Sequence, residues 1–123
     1  MKLKTIVILA LLLIAVVMLI AWAAIQQSAP SKLDGFATCL KEKGAVFYGA
    51  FWCPHCQDQK KMFGGSKRLL PYVECSLPSG NGQTQECIEK KVDEYPTWRF
   101  ADGTEEKGVL ELTHLAEKTG CAL

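Results

Sequence analysis

Apolar positions are distributed in two ways along this chain. Residues 6–25, IVILALLLIAVVMLIAWAAI, carry no charged and no uncharged polar side chain, whereas beyond residue 33 apolar positions recur in short groups broken by glycine and polar residues. As a helix rising ~1.5 Å per residue, the first run would extend about 30 Å, the thickness of a bilayer's hydrocarbon core. The small domain that follows could not hide a helix apolar all round, so residues 1–25 are predicted to be a membrane anchor. A cleaved signal peptide is the competing reading, because Ala21-Trp22-Ala23 has the small-x-small form of a cleavage site. The run exceeds the ~7–15 apolar residues of a signal peptide, and Trp22 suits a membrane interface, which favours the anchor. Under either reading Lys2 and Lys4 hold the N-terminus in the cytoplasm. Everything after the run is then expected on the periplasmic or extracellular side of the cytoplasmic membrane.

Residues 26–32, QQSAPSK, are small, polar and interrupted by Pro30, as a short tether would be. Residues 33–123 form the predicted domain. Phe36, Cys39 and Leu40 fall at i, i+3 and i+4 in residues 34–43, a short amphipathic helix that Gly44 stops. Residues 45–52, AVFYGAFW, are continuously apolar over a strand's length and predict a central strand covered on both faces. A helix then begins at Pro54, where the missing N–H costs nothing; it carries Cys56, Lys60 and Phe63 on one face and ends at Gly64-Gly65. Residues 71–76 predict a second strand and residues 85–91 a short helix. A strand starts just after Pro96, turns at Asp102-Gly103 into another near residues 106–110, and a closing helix over 112–119 is capped by Gly120. Strands alternating with helices make this an α/β domain.

Composition narrows the function. At 123 residues and a formal net charge of +1 the chain has room for one domain and one active site, and it shows no basic stripe, so no nucleic-acid partner is expected. Six cysteines, an even number, allow full pairing in an oxidising compartment.

Cys53 and Cys56, in the stretch FWCPHC, admit three readings. A static disulfide would close too small a loop to remove much entropy from the unfolded chain. Zinc or copper would need a second close-spaced pair, and Cys75 and Cys87 lie too far apart in sequence to provide one. A redox pair fits better: a thiol of ordinary pKa is mostly protonated at neutral pH, and Cys53 has two activators, a helix N-terminus and the neighbouring His55. Cys56, one turn deeper, is placed to attack a mixed disulfide at Cys53. Stabilising the thiolate through Pro54 and His55 would make the disulfide form a stronger oxidant. A Cys75–Cys87 bridge would close the loop SLPSGNGQTQE and contribute about 3 kcal/mol, which favours a structural pair over a second redox relay. Cys39 and Cys121 are left over, either joining the first and last helices or free. Trp52, Tyr95 and Trp98 border the cysteine pair and read as an apolar docking surface for unfolded substrate.

A buried strand running into Trp52-Cys53-Pro54-His55-Cys56, with a Tyr-Pro-Thr stretch whose Pro96 lies 43 positions after Cys53, resembles the thioredoxin superfamily. The likeness covers about residues 33–120 and implies a thioredoxin-like fold, a central mixed β-sheet flanked by helices. It also implies that Pro96 is cis and lies against the active-site disulfide, that Tyr95 pairs with substrate through its backbone, and that Tyr95 and Thr97 help bind it. More narrowly, YGAFWCPHCQDQKKMFG, PYVECS with QECI, YPTW and LAEKTGC resemble the thioredoxin-like domain that bacterial homologues of vitamin K epoxide reductase carry fused or have as a separate partner. That resemblance implies a thiol–disulfide oxidoreductase that takes electrons from exported proteins with free thiols and passes them to a membrane quinone reductase. No bound cofactor is expected besides the Cys53–Cys56 disulfide, and no metal. With one hydrophobic segment, the chain is expected to be the separate, membrane-tethered partner. The Pro-His dipeptide also matches DsbA-type oxidants. Cytoplasmic thioredoxins carry a buried acid where this chain has Phe47, which weakens the rival reading of an extracytoplasmic thiol reductase and leaves the base for Cys56 open. A metal-binding chaperone is the rival of a different class.

Overall fold

The computed structural model describes residues 2–27 and 30–123, which fall into two units divided between Pro30 and Ser31. Helix α1, Lys2–Gln27, is uninterrupted by proline or glycine, and within its stretch Lys2–Ile25 an 18-residue window has a mean hydropathy of 3.2. It is long and apolar enough to cross a membrane, and a signal sequence has the same character. The helix runs through Gln26 and Gln27, so the predicted tether is helical at its start; its Ser28 and Ala29 lie outside the described residues, as does Met1.

The second unit is built on four strands, β1 (Val46–Gly49), β2 (Tyr72–Glu74), β3 (Thr97–Arg99) and β4 (Glu105–Lys107), in the order β2-β1-β3-β4. β1 pairs parallel with β2 and antiparallel with β3, and β3 pairs antiparallel with β4. The parallel pair needs a crossover, supplied by α3 (Pro54–Met62) and a 3₁₀ helix (Gly64–Leu69). α2 (Asp34–Glu42), α4 (Gln85–Glu89) and α5 (Leu112–Thr119) complete the unit. This mixed, helix-flanked sheet is the thioredoxin-like arrangement expected from the sequence.

Alternation along β1 sends its side chains to two faces. Phe47 joins the main core with Phe36, Ala37 and Leu40 of α2, Phe63, Trp98 and Leu115, while Tyr48 packs with Cys75, Cys87 and Val92. The Phe47 and Trp98 rings stack at 4.8 Å. Gln59 is a polar side chain inside this core, and its amide is fully used: Oε1 accepts from Trp98 Nε1 at 3.2 Å and Leu110 N at 2.7 Å, and Nε2 donates to Leu110 O at 3.0 Å. Losing those partners would strand buried groups at about 1–3 kcal/mol each.

Several element boundaries differ from the sequence pattern. The central strand stops at Gly49 instead of Trp52, because Cys53 N–H bonds back to Ala50 O at 3.0 Å and turns the chain into α3. α3 ends at Met62, and the glycine pair opens the 3₁₀ helix, with Gly64 at φ +54°. The last strand is Glu105–Lys107, not 106–110, since Gly108 at φ +92° leaves the ladder and bonds Pro96 O at 2.8 Å. Gly120, in the left-handed conformation at φ +73°, ends α5.

Two disulfides tie the unit. Cys75–Cys87 spans a sequence separation of 12, and Cys39–Cys121 one of 82, fastening α2 to the segment after α5. Replacing Cys39 and Cys121 together by alanine should lower the unfolding free energy by about 2–4 kcal/mol, since the long loop is then free in the unfolded chain. Urea unfolding followed by Trp fluorescence measures this; an unchanged midpoint would show that the bridge contributes nothing.

Candidate active site

The turn after β1 places Cys53 at the N-cap of α3, with φ −77° and ψ 118°. Its Sγ accepts the Cys56 N–H at 3.3 Å, one of the unpaired donors at a helix start, and Pro54 follows at the first helical position. His55 is exposed in the same turn. The Cys53 thiol also reaches Tyr95 O at 3.8 Å, and the Tyr95–Pro96 peptide is cis. The structure thus brings together two stretches far apart in sequence, the Cys-Pro-His-Cys turn and the Tyr-Pro loop.

Cys53 and Cys56 are free thiols in unequal surroundings. Cys53 is 4% exposed and Cys56 0%, so an approaching sulfur can meet only Cys53. Burial, with a further contribution from hydrogen bonding to Cys53, pushes the Cys56 thiol up to about 12, while the nearby Lys60 charge acts in the opposite direction. Gly49 is what lets Cys56 sit so deep: a Cβ there would lie 2.9 Å from Cys56 Sγ and 2.9 Å from Tyr72 Cε2.

Beside the pair, Glu74 organises the turn. Its Oε1 accepts from Phe51 N at 3.2 Å and Ser76 N at 2.9 Å, and its Oε2 from Tyr72 Oη at 2.8 Å. Desolvation and this bond to a carboxylate raise the Tyr72 phenol pKa. Burial lowers the Lys60 pKa against the opposing pull of Glu74.

An apolar rim surrounds the opening. Phe51 and Trp52 are 49% and 53% exposed, Trp52 meets Tyr95 edge to face at 6.0 Å, and its Nε1 donates to Ser76 Oγ at 2.9 Å. Leu77 continues this rim on the loop that Cys75–Cys87 closes. Thr97 and Trp98 do not belong to it. Both are fully buried, Thr97 Oγ1 donating to Glu94 O at 2.7 Å and Trp98 stacking in the core, so neither side chain can touch a substrate. Position 98 points inward because it faces Phe47 across the β1–β3 ladder. Among the described residues, no group of three or more His, Cys, Asp or Glu side chains converges to hold a metal ion.

Pattern reading passed over Gly49, Gln59, Tyr72 and Glu74. A glycine inside an apolar strand signals close backbone approach, and Gln59 lies three residues after Cys56 on the buried face. Nothing in the local sequence marks Glu74, whose role depends on the parallel pairing of β1 with β2.

A thioredoxin-like sheet carrying a Cys-Pro-His-Cys pair at a helix start, opposed by a cis-proline loop, defines a protein equipped for thiol–disulfide exchange. In sequence the chain is similar to the thiol-disulfide oxidoreductase LTO1 of Arabidopsis thaliana, 41% identical over 88 residues that cover 68% of this chain and 23% of that protein. The chain thus spans about a quarter of the length of that relative. No family model matches the chain.

Gly49→Ala tests the depth of Cys56. The added Cβ would press on both the sulfur and the ring, so a loss of about 1–3 kcal/mol is expected, with faster alkylation of Cys56 in the folded protein. Wild-type stability and an equally protected Cys56 would show that the contact is not limiting.

Proposed function

We propose that the chain is a membrane-anchored, extracytoplasmic thiol–disulfide oxidoreductase that oxidises exported proteins and hands their electrons to a quinone-linked membrane reductase of the vitamin K epoxide reductase type. The observation that carries the reading is the inequality of the two thiols: Cys53 at a helix N-cap facing Tyr95 and cis Pro96, and Cys56 sealed beneath it. The likeness to a thiol-disulfide oxidoreductase supports the reaction class, and α1 supplies a helix suited to anchoring.

In the oxidised protein, a substrate thiolate attacks Cys53 Sγ, forming a substrate–Cys53 disulfide and releasing Cys56. A second substrate thiolate attacks its partner sulfur in that mixed disulfide and releases Cys53, so two electrons and two protons end on the Cys53–Cys56 dithiol. Reoxidation reverses the roles: Cys53 attacks a disulfide of the reductase, and Cys56 then attacks Cys53 Sγ and releases the reductase thiol. The N–H of Cys56 and the positive end of the helix dipole stabilise Cys53 as attacking and leaving group. The exposed Phe51, Trp52 and Leu77 give an unfolded chain an apolar surface, and the Tyr95 backbone gives it a strand partner.

Cys56→Ala should accumulate mixed disulfides through Cys53 with exported proteins and with a membrane reductase; a trap that holds neither would end the proposal. The direction of electron flow is read from the Cys53–Cys56 potential. A value well above thioredoxin's roughly −270 mV is expected for an oxidant, and one near it would make the chain a reductase.

A further inference from the structure

The reoxidation step needs Cys56 as a thiolate, yet Cys56 is the thiol the fold disfavours most. Burial, the largest cause of its raised pKa, remains when Cys53 is held in a mixed disulfide. The position where the thioredoxin resemblance would put an acid is Phe47, apolar and fully buried. Whatever assists Cys56 must come from elsewhere.

Lys60 lies one turn after Cys56 on the same helical face. Its Nζ sits 3.4 Å from the centroid of the Tyr72 ring, and that ring and Cys56 Sγ both crowd the bare backbone of Gly49. Tyr72 is held in turn by Glu74, which is fixed by the Phe51 and Ser76 N–H groups. A cation over an aromatic face gains about 1 kcal/mol or more, so this chain of contacts gives a flexible lysine a defined place. A cleft of about 460 Å³ lined by Gln57, Lys60, Lys67, Arg68, Leu70 and Tyr72 opens Lys60 and the Tyr72 ring to water. Of the other cations facing the cleft, Arg68 is engaged by Asp34 at 2.7 and 3.0 Å, and Lys67 lies near enough to oppose Lys60's charge.

We propose that Lys60 is a positioning residue for the resolving step, its ammonium, seated on Tyr72 and steadied by Glu74, stabilising the Cys56 thiolate as the thiol gives up its proton. The inference rests on the reading of Cys53 and Cys56 as an exchanging pair. In the step, Cys56 S–H gives its proton to water and its sulfur attacks Cys53 Sγ. The Cys56–Cys53 bond forms, the bond from Cys53 to the partner sulfur breaks, and the partner leaves as a thiolate that takes a proton from water.

The test mixes the reduced full-length chain, in detergent micelles, with glutathione disulfide. Acid quenching and mass spectrometry separate formation of the Cys53–glutathione adduct from its resolution by Cys56, between pH 5 and 9. Lys60→Met should slow resolution about tenfold or more at pH 7 and move its rise with pH to higher pH, because loss of the cation raises the thiol pKa further. Adduct formation at Cys53, which also feels the Lys60 charge, should fall less than resolution does, and near-wild-type unfolding in urea reports that the variant is folded. Lys60→Arg should restore most of the rate, since it keeps the charge. Wild-type resolution and pH profile in Lys60→Met would overturn the inference, and so would a Lys60→Arg variant as slow as Lys60→Met. If the wild-type chain itself forms no adduct or never resolves it, the exchange reading fails and takes this inference with it; if wild type resolves and Lys60→Met matches it, only the role of Lys60 fails.

Discussion

The approach of α3 to β1 at Gly49 sets the geometry on which the candidate site depends. A sulfur and an aromatic ring occupy the space a side chain would take, so the helix carrying both thiols lies directly on the sheet. That closeness buries Cys56, leaves Cys53 at the rim, and brings the Tyr72 ring of the neighbouring strand under the first turns of the helix. Gln59 pins the same helix from its buried side by bonding Trp98 and Leu110. Because interiors pack at crystal-like density, displacement here would be felt at both cysteines. The site's geometry is therefore a property of one helix–sheet contact, with the Tyr-Pro loop brought to it by β3.

This contact also makes two chemically identical thiols unequal. Desolvation disfavours an anion at Cys56, while the N-cap position offers Cys53 a backbone N–H. Cys53 is also the sulfur that a partner can reach. The asymmetry aids attack and release at Cys53, but it hinders every step in which Cys56 must act. A half-buried lysine fixed on an aromatic ring answers that difficulty without placing a carboxylate against the anion it would have to stabilise. Glu74 bonds the Tyr72 hydroxyl, its charge favours the charged form of Lys60, and its Oε1 closes the turn at Phe51 and Ser76.

The order of elements was legible in the sequence because each has a local cause. Pro54 and Gly120 punctuate helices, Asp102-Gly103 makes a turn, and residues 45–49 are apolar without interruption. The structure joins Cys75 to Cys87 and Cys39 to Cys121, the first pair suggested by its loop and the second only by elimination. What was not legible is side-chain direction in a short strand. Trp98 looked like a neighbour of the cysteines, but its register opposite Phe47 turns it into the core. Phe51 and Trp52 looked like a continuing strand, yet a single Cys53-to-Ala50 hydrogen bond lifts them to the surface. Tyr72 and Glu74 share a face of β2 by their i, i+2 spacing, but Lys60 reaches Tyr72 from α3, and no spacing along the chain announces that contact.

Exposed aromatics are not held in place by burial, so the rim needs other fastenings. Trp52 is tied through its indole N–H to Ser76, Ser76 N–H to Glu74, and Gln83 donates to Tyr95 Oη at 2.7 Å and to Val92 O at 2.6 Å. Gly80, at φ +77°, lets the loop come close to Phe51 and Trp52. The Cys75–Cys87 bridge anchors both ends of this loop in a fully buried pair of sulfurs. An apolar surface fixed by polar ties and a covalent clasp keeps its shape when nothing is bound. It then presents rings to a partner without the ordering cost that loose side chains would incur on binding. The Cys75–Cys87 bridge therefore bears on the reacting pair by fixing the wall against which Cys53 is approached.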